Sequence, residues 1–290
     1  MAEYVVAGAT GHVGSVVAQA LLDSGRKVRV IARDPHKAER WKKRGAHVGQ
    51  VDLSNVHDLL NGLRGTEAAF LLLPSFPPNT TGVRGKAKKI IDALVHAISG
   101  TDVKHVVFLS SVGAQHADGT GPVVLLHDAE QELRTLKTPV TFLRACYFME
   151  NWGPALPDAK EGLLNTFLPA ELKWNHISTH DVGQTAARLV LEHPKAHRVV
   201  ELSGPEEVGP ADVARVLSKL LETEVEPLEE PLDQVAEAFT GMGFSPELAQ
   251  MYQGLYQGIA SKRLSFEHPE SVVRGKDTLE QTLQAMLAKL

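Results

Sequence analysis

The stretch "YVVAGATGHVGSVVAQALLDSGRKVRVIARDP", residues 4–35, constrains the fold more than any other part of the chain. Tyr4 to Ala7 form a short apolar run of strand type, and Val13, Val17, Ala20 and Leu21 then recur at helical spacing. A second apolar run follows from Val28 to Ala32. Strand, glycine turn, helix and strand within about 30 residues is the context that a dinucleotide-binding fingerprint requires. In that setting Gly8 permits the tight turn off the strand, Gly11 lets the backbone approach a pyrophosphate, and Gly14 lets the helix pack closely on the sheet. The helix starting near His12 would offer free N–H groups and its positive dipole end to phosphates. The spacing is G-x-x-G-x-x-G, without the G-K-[ST] ending of an ATP-binding loop, and a purely structural turn is the competing reading.

Further strand-like runs recur at "HVGQVDL", "AAFLLLP", "HVVFLSS" and "VTFLRA", with amphipathic stretches between most of them. "GKAKKIIDALVHAIS" is the clearest helix, with Ile90, Ile91, Leu94 and Ile98 on one face. This alternation predicts parallel strands with helical crossovers, an α/β doubly wound sheet of Rossmann type. Beyond Trp152 the pattern loosens. "STHDVGQTAARLVLEH" reads as a helix capped by Ser178 or Thr179, and "RVVELSG" as a returning strand. The expected organisation is a nucleotide-binding domain over residues 1–153, to which 176–202 return, and a smaller, mostly helical lobe over 154–175 and 203–290. A ligand would lie between them, at the carboxyl ends of the strands. The acidic stretch from Glu222 to Glu237 reads as a linker and helix face, and Leu232 to Ile259 as a helical wall of the cleft. That wall would be surfaced by Val235, Phe239, Met242, Leu248, Met251 and Leu255.

Composition narrows the ligand. With 30 basic against 35 acidic side chains the net charge is only -5, which gives no electrostatic footprint for nucleic acid or an anionic membrane. Small molecules are the expected partners. A single cysteine, Cys146, excludes an internal disulfide framework and a cysteine-rich metal site. "MAEYVV" does not read as a secretion signal, and no apolar run approaches the roughly 18 residues of a membrane span. The expected location is the cytoplasm, where the sequon at Asn79 is only a polar loop.

The second strand ends in "ARDP". Arg33 stands about 20 residues after the last glycine, where an acidic residue would bind the ribose hydroxyls of NAD and a basic one the 2'-phosphate of NADP. The adjacent Asp34 precedes Pro35 and suits a helix cap. Arg33, assisted by Lys37, is therefore assigned to the phosphate.

Taken in order, "GATGHVG", "VIARDPHKA", "VDLSN", "LSSVGA" and "LRACYFMENW" resemble the NmrA-like family of atypical short-chain dehydrogenases, which includes NADPH-dependent quinone reductases, redox-sensing regulators and tailoring enzymes. "STHDVGQTAA" extends the likeness in weaker form. The resemblance implies NADP(H) held by Gly8, Thr10, Gly11, His12, Val13, Arg33 and Lys37. It places Asp52 and Leu53 beside the adenine, Leu73 and Pro74 near the nicotinamide-side ribose, and Cys146 to Asn151, including Tyr147, along the nicotinamide.

Ordinary short-chain dehydrogenases protonate the developing alkoxide from a tyrosine whose pKa is lowered by a lysine four residues on. Here the fourth residues after Tyr4, Tyr147, Tyr252 and Tyr256 are Gly8, Asn151, Tyr256 and Ala260, so the pair is absent. Relatives often keep a lysine or histidine in the helix before "TFLR". That register gives Leu126, with His127 one position on.

The absence bears on the substrate. An alkoxide has a conjugate acid about as weak as water, of pKa about 15.7, whereas a reduced quinone leaves a phenolate-like anion of pKa about 10 that water can protonate. The expected reaction is hydride transfer from NADPH to a small, apolar, conjugated acceptor such as a quinone. The alternative is a redox sensor that binds NADP and a protein partner without turnover.

The weaker candidates each carry a bland counterpart. His127 and Tyr147 are candidate catalytic residues, against an ordinary surface histidine and a packed ring. Ser111 (or Ser110), Phe148, Phe239 and Met251 are candidate substrate contacts, against core packing or a homodimer interface. His176, His180 and Asp181 could suggest zinc, but a strand end between the histidines spoils a shared face, and no metal is expected.

Overall fold

A computed structural model describes residues 3–290. The first half alternates strand and helix: β1 (Glu3–Ala7), α1 (His12–Asp23), β2 (Lys27–Ala32), α2 (Glu39–Lys43), β3 (His47–Gln50), α3 (Val56–Leu63), β4 (Ala68–Leu72), α4 (Val83–Ser99), β5 (His105–Ser111), α5 (Val124–Leu133) and β6 (Val140–Ala145). Then come β7 (Tyr147–Phe148), α6 (Leu156–Lys160), β8 (Leu163–Thr166), β9 (Trp174–Ile177), α7 (Thr179–Val190) and β10 (Arg198–Ser203). The chain ends through β11 (Glu207–Val208), α8 (Pro210–Leu221), β12 (Glu226–Glu229), α9 (Val235–Gly241), α10 (Pro246–Ala260), β13 (Val273–Arg274) and α11 (Leu279–Leu287).

Eight strands form one parallel sheet in the order β3-β2-β1-β4-β5-β6-β10-β13. The order reverses direction between β1 and β4, and crossovers leave to opposite faces there. Strand alternation explains the two cores. Tyr4 and Val6 join Val28 and Val30 beneath α1 and α7, whereas Val5, Ala7 and Ile31 face α3, α4 and α5. The expected Rossmann-type sheet is present, and "RVVELSG" returns to it as β10.

Caps expected from sequence also form. Asp34 accepts from the His36 N–H with Pro35 at the first position, although the turn it opens, Pro35–Ala38, is 3-10. Ser178, not Thr179, caps α7 by accepting from the Asp181 N–H at 2.9 Å.

The C-terminal third is less uniformly helical than expected. Part of the acidic stretch is strand: Glu226–Glu229 pairs in parallel with β8, and β11, β9 and β7 make a second small sheet. The helix anticipated from Leu232 to Ile259 is broken, because Gly243 turns at φ +88° and Ser245 recaps the chain before Pro246. The hairpin of α9 and α10 then lies against the Rossmann sheet's own helices. Leu248, Met251 and Tyr252 pack on Val83 and Ala87 of α4 and on Val124 and Leu125 of α5. Ser245 N–H donates to the Pro78 carbonyl at 2.8 Å, and the Val83 N–H donates to Glu247 at 3.1 Å. A separate core of Met149, Trp152, Leu164, Leu217 and Leu283 holds α6, α8 and α11 together.

A buried ion cluster fastens the strap after α10. Arg144 of β6 forks onto Glu130 of α5 at 2.9 and 2.7 Å and reaches Glu267 at 2.5 Å. Glu201 of β10 accepts the Glu267 and His268 N–H groups. Because each buried charge is paired, the cluster costs little when intact, and removing one partner would strand the others.

Candidate functional site

The glycine turn lies at the carboxyl end of β1. Gly8 has φ +68°, a left-handed conformation that only glycine adopts freely. A β-carbon on Gly14 would come within 2.5 Å of the Gly8 carbonyl carbon and 2.7 Å of the Ala7 oxygen, so its bareness sets the approach of α1 to β1. A β-carbon on Gly11 would meet only the Gly8 oxygen, at 3.4 Å, and would otherwise project into open space.

The first turn of α1 has no side-chain cap and no acidic residue, while Thr10, Gly11 and His12 are exposed. By contrast Asn55, Ser178, Ser245 and Thr278 cap α3, α7, α10 and α11. Free N–H donors at a bare helix start, fronted by a glycine that keeps the approach clear, suit a pyrophosphate. The residues present fit a dinucleotide.

Arg33 is exposed at the end of β2, and no ion pair engages it among the described residues. Its charge, with that of Lys89, helps hold the Asp52 carboxyl below its ordinary value, although the largest cause is the Ser54 N–H that donates to it at 2.8 Å. Asp52 thus closes its own turn, and Leu53 packs on the core beneath. Lys37 is exposed nearby in the chain. A cation missed from the sequence is Arg40: its guanidinium donates to the Ala9 carbonyl of the glycine turn at 3.1 Å, beside the Trp41 indole N–H at 2.9 Å. The spacing of Arg33, Lys37 and Arg40 was the available signal.

At the other end, Leu73 and Pro74 follow β4 and are half-buried. Ser111 ends β5 half-buried, but Ser110 is turned away: its hydroxyl donates to buried Glu130 at 2.6 Å, which removes it from the candidate contacts. "CYFMEN" separates by role. Cys146 and Met149 are core, with burial pushing the thiol up to about 12. Glu150 caps α7 by accepting from the Thr179 N–H at 2.9 Å. Tyr147 is half-buried and Asn151 exposed, while Phe148 leans on the sheet core.

His127 lies under the loop after β5, its Nδ1–H donating to the Ala114 carbonyl at 2.9 Å. His176 is buried among Trp152, Trp174 and Tyr147 and does not join His180 and Asp181. Those two meet Asp277 instead, where they tie the approach to α11 to the start of α7: Asp181 accepts the Lys276 and Asp277 N–H groups at 2.7 and 2.8 Å.

The α9–α10 hairpin carries a cluster of aromatic rings. Phe239 of α9 stacks on Tyr252 of α10 with ring centres 4.8 Å apart, and both touch Phe244. Tyr256 meets Phe167 edge-on at 5.8 Å, and Tyr147 meets Trp174 at 5.7 Å. Of the expected apolar wall, Phe239, Met251 and Leu255 are half-buried, but Val235 and Leu248 are core. Met242 is 68% exposed and faces away, because it lies in the break between the helices. Burial above all, and then Tyr256, pushes the Tyr147 phenol well above its usual value of 10, while burial raises Tyr252 and Tyr256 as well. These phenols stay protonated near neutrality, the opposite of the lowered tyrosine of ordinary short-chain dehydrogenases.

No helix among the described residues is long and apolar enough to cross a membrane. The NAD(P)H azoreductase of Xenophilus azovorans is 26% identical over 256 residues, which cover 87% of this chain and 85% of that protein. The NADPH-dependent quinone oxidoreductase QOR2 of Escherichia coli, solved with NADPH, superposes with a TM-score of 0.81 at 23% identity, over 98% of this chain and 99% of that one. The triphenylmethane reductase of a Citrobacter species, solved with NADP(H), superposes at 0.79 with 18% identity, over 99% and 100% of the two chains. Both superpositions speak to the fold. The NmrA-like family pattern matches residues 3–279, from the first residue of β1 to the first of α11, and the chain belongs to the NmrA-like family.

Proposed function

We propose that this protein is an NADPH-dependent reductase that delivers hydride to a quinone-like or other small, flat, conjugated acceptor. The observation that carries the reading is the set of aromatic rings around Tyr147, Trp174, Phe239, Tyr252 and Tyr256, with Tyr147 just past the carboxyl end of β6 in the same sheet that presents the bare start of α1. NADPH, held by the glycine turn with its 2'-phosphate toward Arg33 and Lys37, would supply the hydride. The chain's own residues orient a planar acceptor by stacking and exclude water. High-pKa phenols cannot easily give up protons, which suits an acceptor whose reduced anion takes its proton from water. The azoreductase relative supports the same class of acceptor.

Following nicotinamide absorbance with NADPH and a panel of quinones tests the proposal. Acceptor-dependent oxidation is expected. Tight NADPH binding without it would favour the second reading, a redox sensor, for which the missing Tyr-Lys pair speaks.

A further inference from the structure

A strongly cationic stretch borders the glycine turn. Residues 33–44 hold six basic side chains, Arg33, Lys37, Arg40, Lys42, Lys43 and Arg44, against Asp34 and Glu39. That is a net of +4 in a chain of net charge -5, which leaves -9 for all the other residues together. The six cations are exposed, and no ion pair engages any of them among the described residues. Asp34 is turned onto the His36 N–H at 3.0 Å. Like charges without partners repel one another and oppose the compact state, so their concentration at one place argues for an anionic ligand.

Two contacts fasten the stretch to the turn. The Trp41 indole N–H and the Arg40 guanidinium both donate to the Ala9 carbonyl, at 2.9 and 3.1 Å. Arg40 and Arg44, four residues apart, both lie over the buried Trp41 ring, their guanidinium carbons 4.9 and 6.0 Å from its centre. Helix α2 has only five residues and rises about 7.5 Å from end to end. Its cations therefore lie within roughly one Debye length of the turn, about 10 Å at 0.1 M salt.

We propose that this stretch is an electrostatic funnel for the dinucleotide: Lys42, Lys43 and Arg44 draw NADPH toward the glycine turn without touching it once it is bound. The ligand brings its pyrophosphate and a 2'-phosphate, the latter with a charge of about -1.5 to -2 near neutrality, so the attraction speeds NADPH more than NADH. The negative remainder of the surface repels the same anion and narrows its approach to this side. Arg33 then acts on the bound complex and the end of α2 on the encounter, so that part of the preference for NADPH is one of rate. The funnel rests on the proposed use of NADPH.

Stopped-flow mixing of the whole protein with NADPH, followed by nicotinamide fluorescence, measures association and dissociation separately. The variant is Lys42→Glu/Lys43→Glu. The control is Lys104→Glu/Lys195→Glu, an equal change of charge at exposed lysines that precede the amino ends of β5 and β10, the opposite end of the sheet from the turn. At about 0.1 M salt association of the variant should slow about threefold to tenfold, with dissociation and the control unchanged within about twofold. NADH should slow less. At about 1 M salt, where screening acts within about 3 Å, variant and unsubstituted protein should associate at equal rates. Equal slowing in the control would make the effect one of net charge, and faster dissociation with unaltered association would mean that the lysines touch the bound cofactor. Either result overturns the funnel, as does no change in either constant. Steered NADPH binding that never leads to acceptor reduction would sink the reductase reading and leave the funnel standing; a protein that binds no NADPH would end both.

Discussion

Asp34 Oδ1 accepts the His36 backbone N–H at 3.0 Å, so the carboxylate beside Arg33 is turned onto the 3-10 turn and away from the end of β2. Arg33 is left as the exposed charge at the end of β2, where the proposed NADPH would present its adenosine ribose. A guanidinium can fork onto a 2'-phosphate, and charge-assisted bonds are about twice as strong as neutral ones. Arg33→Ala should therefore weaken NADPH by roughly tenfold to a hundredfold and leave NADH nearly unchanged. Calorimetry with both cofactors on both proteins checks this; similar small changes for the two would mean that Arg33 only meets solvent.

Gly11 and Gly14 should separate binding from folding. Gly11→Ala places a methyl in open space at the bare start of α1, with nothing nearer than 3.4 Å. The protein should unfold at nearly the same temperature and bind NADPH more than about tenfold worse, having lost N–H contacts to the phosphates. Gly14→Ala drives a methyl into the Ala7–Gly8 backbone, an overpacking that should cost about 1–3 kcal/mol or more of stability. Thermal unfolding paired with NADPH titration reads both. A Gly11→Ala protein that binds NADPH normally would show that the turn is only structural.

Two buried histidines make stability fall on mild acidification. His105 and His176 are essentially inaccessible, and in both burial is the largest cause of a pKa near 4 in place of the usual 6.5. Below 6.5 the unfolded chain binds protons that the folded chain refuses, so the stability present above that value is lost as pH falls toward 4. Between about pH 7 and about pH 5 each should cost roughly 2 kcal/mol, ahead of most carboxylates. Urea midpoints at the two pH values measure the loss, and His105→Gln should remove close to half of it. Coincident midpoints for the unsubstituted protein would contradict the buried neutral state.

The features legible in the sequence are those whose cause is local. Gly8, the Asp34-Pro35 cap and the Ser178 cap each depend on a few neighbouring residues, and the strand runs alternate as a sheet covered on both faces must. The surroundings of Tyr147 were not legible for the same reason in reverse: no lysine stands four residues on, and the rings that fix it, Trp174 and His176, come from β9 through tertiary packing. Likewise Ser110 looked like a cleft residue until Glu130, placed by α5 and paired with Arg144, claimed its hydroxyl. The break at Gly243 was missed although its signal was local, since Gly243-Phe244-Ser245-Pro246 holds a helix stop and a restart, and it moved Met242 out of the wall.

The seat of α10 sets where Tyr252 and Tyr256 lie. Gly121 opens the 3-10 turn before α5 at φ +61°, and a β-carbon there would fall 2.5 Å from the Leu255 nitrogen and 2.9 Å from its α-carbon. Gly254 faces it, its own β-carbon position 3.3 Å from the Gly121 α-carbon. Tyr252 and Tyr256 lie two residues to either side of this backbone contact. Gly121→Ala must therefore push α10 off its seat and carry both hydroxyls with it. The expected result is a stability loss of about 1–3 kcal/mol, with naphthoquinone binding lowered roughly fivefold or more as the stacked rings of Tyr252 and Phe239 shift. NADPH affinity should stay within about twofold, since the glycine turn at β1 does not touch this contact. Gly25→Ala is the matched control: it has a similar left-handed φ of +72°, but no atom lies within 4 Å of the added carbon, so it carries the backbone strain without moving α10. If both variants lose acceptor and cofactor alike, the effect is general strain; loss of the acceptor alone, in Gly121→Ala alone, ties recognition to the seating of this helix.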